Sequence, residues 1–142
     1  MARKDIHISG IEGGSGRFIA GFVNTPAGGF QITMNMFMKA LLTDLTSDPF
    51  DRTYGSAFSE LPGSNLGGRM DIVRSMVFDS VANVTTKIMD YQLGIDAPRS
   101  QRLSNARVTS LEEVEGPGFI VYVLLTNAAG VSMVSVLPHV EL

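Results

Sequence analysis

Phe119-Ile-Val-Tyr-Val-Leu-Leu-Thr126 is the stretch on which the reading of the whole chain turns. Its β-branched and aromatic residues make it the strongest strand signal in the sequence. It is apolar on both faces, whereas a strand of a half-solvated antiparallel sheet alternates apolar and polar residues. One face therefore rests on helices. The other needs a cover, from the N-terminal arm or from another protein. Downstream, Asn127-Ala-Ala-Gly130 reads as a turn and Val131 to Leu137 as a returning strand. Upstream, Arg107 to Leu111 reads as a short strand, joined to Phe119 by an acidic connection that carries Glu112, Glu113 and Glu115.

Two helices precede this sheet. Met34, Phe37, Met38, Leu41, Leu42 and Leu45 recur on one face of a helix, with Thr33 in position to cap it and Thr46 or Ser47 as its last residue. A second helix is expected from Arg69 to Tyr91, with Val73, Val77, Val81, Val84, Ile88 and Tyr91 on its apolar face. Ile72, Met76 and Phe78 widen that face, as in a helix covered on more than one side. So many β-branched residues give mediocre intrinsic helicity, so packing must hold the helix. Gly94 ends it, and Ala97-Pro98-Arg99 leads out. The fold class is α+β: two main helices on a small antiparallel or mixed sheet.

Residues 1–31 form a separate, glycine-rich arm, and residues 32–142 the domain proper. Within the arm, Ile6-His7-Ile8 and Phe18 to Val23 are short apolar pieces that can pair as strands but bury too little to fold alone. They fit either a surface hairpin or an arm that orders against a partner chain. Gly13-Gly14-Ser15-Gly16 is not a phosphate loop. It lacks the Gly-Lys-Ser/Thr ending, and Arg17 leads into a strand-like run instead of a helix.

Between the helices lies Leu42 to Phe58, which cannot be helical throughout. Pro49 has no amide proton and disfavours helical geometry at Asp48. Asp48-Pro49 and Tyr54-Gly55 are turn signals. Phe50, Tyr54 and Phe58 are expected to pin the loop to the core.

A chain of 142 residues with net charge −3 and a pI of about 5.2 is one domain's worth of sequence, without the basic face of a nucleic-acid binder. It has no cysteine, hence no disulfide or thiolate metal site, and its longest apolar run is far short of the ~20 residues that span a bilayer. The two histidines, His7 and His139, stand apart, without a triad or metal-site pattern around them. Asp44, Asp48, Asp51 and Glu60 are the carboxylates on which a glycosidase would draw. That chemistry needs one acid in an apolar pocket and a second carboxylate roughly 5 to 9 Å away. The residues point to no cofactor, no metal and no catalytic site.

One resemblance stands out. A helix ending Ala40-Leu-Leu-Thr-Asp-Leu-Thr-Ser47 leads into Asp48-Pro-Phe-Asp-Arg-Thr-Tyr-Gly-Ser-Ala-Phe58. A long helix follows, then Pro98-Arg99 with Leu103 four positions after the arginine, then a strand meander. From Ile32 to Val140 this order resembles the baseplate wedge and sheath-initiator proteins of contractile-tailed phages. That family's turn reads Gly-x-Arg, then proline, an aromatic or methionine, a charged residue, and Tyr/Phe-Gly. Here Thr46-Ser47-Asp48 replaces the first part, while Pro49, Phe50, Asp51, Tyr54, Gly55 and Ser56 match. The family's Glu-Pro-Arg motif is Ala97-Pro98-Arg99 here, with Asp96 one position early.

The resemblance implies a structural protein of the virion tail baseplate, assembled in the host cytoplasm in six copies. It would link the wedge to the tube and nucleate sheath polymerisation by accepting a strand. The implied partners are the sheath protein, baseplate wedge proteins and tube or hub proteins, with no nucleic acid and no membrane. The implied contact residues are Pro49, Phe50, Asp51, Tyr54, Gly55, Pro98 and Arg99, with Val131, Val134 and Val136 on the last strand. Some relatives carry a lysozyme label, so a tail-associated peptidoglycan glycosidase is the alternative. The absent motif glutamate argues against it.

Overall fold

A computed structural model describes residues 29–114, 118–137 and 139–142 in full, and the backbone alone of 6–11 and 18–22. In chain order the elements are β1 (Ile6–Ile11), β2 (Phe18–Phe22), helix α1 (Phe30–Leu42), a short 3-10 turn (Ala57–Glu60), helix α2 (Met70–Gly94), β3 (Leu103–Val114), β4 (Gly118–Asn127), β5 (Ser132–Val136) and β6 (Val140–Glu141). The architecture is α+β, and every strand pairing among the described residues is antiparallel, so the main sheet is antiparallel and not mixed. β1 and β2 pair as a two-stranded hairpin. Residues 1–5, 12–17 and 23–28 of the arm and residues 115–117 of the acidic connection lie outside the described residues. Glu112 and Glu113, expected in that connection, belong to β3.

β4 is the spine of the main sheet. β3 flanks it along one side, while β5 and the short β6 share the other. Its residues alternate as the pleat dictates: Phe119, Val121, Val123 and Leu125 are buried, and Ile120, Tyr122 and Leu124 are half-buried. The buried set meets Val73, Val77, Val84 and Ile88 of α2, and Phe37 and Leu41 of α1, in one core. Phe58 packs edge-on against Phe119, ring centres 6.3 Å apart.

Three details depart from the sequence pattern, each for a physical reason. Helix α1 starts at Phe30, two residues inside the expected arm, with Gly29 at its cap position. Thr33 is thus an interior, buried residue whose hydroxyl donates to the carbonyl of Gln101. The helix also stops at Leu42, earlier than expected, and leaves Leu45 exposed. On α2, Tyr91 is exposed and the buried place falls to Gln92. The Gln92 side chain donates to Thr33 Oγ1 (2.9 Å) and to the Gln101 carbonyl (3.0 Å), and accepts from the Leu103 amide (2.7 Å). This amide clasp joins both helices to the start of β3. A polar group can occupy the core there because each of its bonds is answered.

Candidate functional site

The feature that stands out is the margin formed by β5. Its register with β4 pairs Tyr122 with Val136, Leu124 with Val134 and Thr126 with Ser132. The Leu137 amide donates to the Val121 carbonyl (2.8 Å) and the Asn127 amide to the Val131 carbonyl (2.9 Å). In an antiparallel ladder these bonds fix the parity. The groups of Val131, Met133, Ser135 and Leu137 face β4, and those of Ser132, Val134 and Val136 face outward. No further strand pairs with β5 among the described residues. Val131, Val134 and Val136 are 54%, 55% and 45% exposed. Val134 and Val136 extend the outer face of Ile120, Tyr122 and Leu124 into a strip that stays partly open to solvent.

Pro98 and Arg99 lie beside the turn that leads into this strand. Both are exposed, and the Pro98 carbonyl accepts the amides of Gln101 and Arg102 (2.9 Å each). Arg99 donates to the Ala128 carbonyl (3.1 Å), and the Asn127 side-chain amide donates to the Ser100 carbonyl (3.0 Å). The Asn127 side-chain oxygen in turn accepts the amides of Ala129 and Val131. The corner thereby buttresses the turn that launches β5. One guanidinium N–H of Arg99 is spent inside its own chain.

The loop between the helices is a second, separate surface. Its ends are joined by a bridge between Asp44 and Ser56, where the Ser56 amide donates to the Thr43 carbonyl (3.0 Å). The Ser56 hydroxyl donates to the Leu41 carbonyl (2.6 Å), so the returning chain caps the end of α1. Gly55 makes the close pass possible. It has φ of 101°, and a Cβ there would lie 2.6 Å from the Thr43 carbonyl oxygen. Within the loop, Asp48 accepts the Phe50 amide (2.8 Å), and Asp51 accepts both the amide (2.9 Å) and the hydroxyl (2.6 Å) of Thr53. The hydroxyl bond, then the amide bond, from Thr53 hold the Asp51 carboxyl below its ordinary 3.8. Lys87 of α2 donates to the Thr53 carbonyl.

The expected three-ring anchor does not form. Phe58 is buried and Tyr54 half-buried, but Phe50 is 97% exposed. The loop is no helix, so a four-residue repeat puts its rings on no common side. Pro49 and Asp51 are exposed beside Phe50. Below them, Tyr54, Lys39, Lys87, Ile88 and Tyr91 line a cavity of about 500 Å³ that no local pattern signals, because its walls come from three separate elements. Of the carboxylates considered for glycoside chemistry, Glu60 is exposed and Asp48 is engaged by its own turn.

The structure therefore groups the predicted contact residues into two sets. Pro98 and Arg99 stand with Val131, Val134 and Val136, and Pro49 to Gly55 stand apart on the loop. No protein-family model, curated protein or solved structure matches this chain.

Proposed function

We propose that this chain is a structural component of a contractile tail baseplate. In this reading it links the wedge to the tube and starts sheath polymerisation by accepting a sheath strand at the β5 margin. The observation that carries the reading is an outward row of backbone groups at Ser132, Val134 and Val136 that have no strand partner among the described residues, with no charged residue from Val131 to Leu137. A solitary soluble domain ordinarily charges, twists or covers such an edge. An incoming extended segment would gain ladder hydrogen bonds from it, and the valine strip would set the segment's register.

The wedge and hub proteins fall to the Phe50 loop, which displays an aromatic ring on backbone already fixed by Asp48 and Asp51 and so loses little freedom on binding. Six copies around the tube would make weak individual contacts act together through high effective concentration. The protein would then reside in the virion tail. The resemblance of Pro49 to Ser56 and of Pro98-Arg99 to the sheath-initiator family supports the same reading.

The test is deletion of the chain from Val131 onward. Baseplates carrying bare tubes in electron micrographs are the expected outcome, and normal contractile sheaths would overturn the proposal.

A further inference from the structure

The β5 margin is complementary to itself, and we infer that two free copies of this chain pair β5 to β5 across a two-fold axis at Val134. This pairing follows from the geometry of the margin alone and is independent of the baseplate reading. The outward groups belong to Ser132, Val134 and Val136, a set of three with Val134 in the middle. An antiparallel partner of the same sequence centred there sets Val134 against Val134 of the second copy, and Ser132 against its Val136. Each of these is a hydrogen-bonded pair that exchanges both backbone bonds. A two-fold contact is isologous, so one patch serves both sides.

Side chains agree with the register. On the outer face the central pair is valine on valine, flanked by serine–valine pairs. On the inner face Met133 lies opposite Ser135 of the second copy. No charge falls anywhere from Val131 to Leu137, so no like charges meet across the axis. β5 also runs without a bulge along its pairing with β4, which leaves the edge regular enough to accept a neighbour. The joined sheet would continue the Ile120, Tyr122, Leu124, Val134 and Val136 strip from one copy into the next. The pairing covers the same backbone groups that an incoming strand would use, so the dimer and any strand acceptor complex exclude one another.

Sedimentation of the purified full chain tests this between about 5 and 500 µM, where mass action favours the dimer as concentration rises. The wild type is expected to move from 15.3 kDa towards twice that mass. The amides of Ser132, Val134 and Val136 should exchange at least about tenfold more slowly at the high end. Val134→Pro removes an outward amide without touching the internal ladder, and Val134→Lys places a charge at the axis. Each should hold the mass at 15.3 kDa while the chain stays folded. Phe50→Ser should leave the dimer intact. A monomer across the whole range overturns the inference, as does a dimer that survives both Val134 variants or that Phe50→Ser abolishes. A monomeric result leaves the baseplate proposal standing, because that one falls only with normal sheaths on the truncated chain.

Discussion

The two margins of the main sheet are built in opposite ways. β3 has twelve residues, two breaks in register, and Arg107, Glu112 and Glu113 along its length. Its first residue is clasped by Gln92. β5 has five residues, a regular register and no charge. Bulges and charges are what proteins use to stop an edge from templating another chain. One margin is closed to company by these devices. The other lacks them, and that asymmetry marks β5 as the margin where the proposed strand addition would occur.

Moving a charge from one margin to the other should have the largest effect. Val134→Lys gives β5 what β3 already has, and is expected to lower the fraction of tubes that carry sheath at least about tenfold, equivalent to ~1.4 kcal/mol. Arg107→Ser, counted in the same micrographs, should change that fraction little. The opposite pattern would exchange the roles of the two margins. Next comes the clasp on the closed side. Gln92→Leu leaves the Leu103 amide without its partner and is expected to cost about 2 kcal/mol. The denaturant midpoint should fall with an unchanged slope, and exchange at Leu103 should quicken. An unshifted midpoint would show that the clasp does not secure that margin.

The smallest effect concerns the loop, which stands apart from both margins. A carboxyl whose folded-state pKa is lowered contributes stability above its unfolded value and loses it as pH falls through the folded one. Asp51 should therefore titrate below 3.8, with loop order fading only on the acid side of that value. Thr53→Val should bring its midpoint, followed by NMR, back towards 3.8. An unchanged midpoint would remove Thr53 as the cause.

Periodicity reads the two helices and strands β4 and β5 well, because Val73, Val77, Val84, Phe119 and Val121 are buried by the regular geometry of their own elements. It failed where tertiary bonds decide. Gln92 is polar at a position four residues after Ile88, so the apolar pattern passed to Tyr91, which is exposed. The pattern yields only Arg107 to Leu111 of β3 because Glu112 and Glu113 look like connection residues, yet charged side chains fit a solvated face. The short β6 carried too little pattern to be seen. On the outer face of β4, Ile120, Tyr122 and Leu124 are half-buried. Which margin is unpaired depends on strand order, and no local stretch of sequence encodes that.

The bridge between Asp44 and Ser56 has a practical consequence. Lengthening a segment whose ends are already stapled costs little, about 0.6 kcal/mol for each doubling of its length. The tip between Ser47 and Arg52 can thus take a grafted epitope or fluorescent tag without loosening the core beneath, at the cost of the partner contact proposed for Phe50.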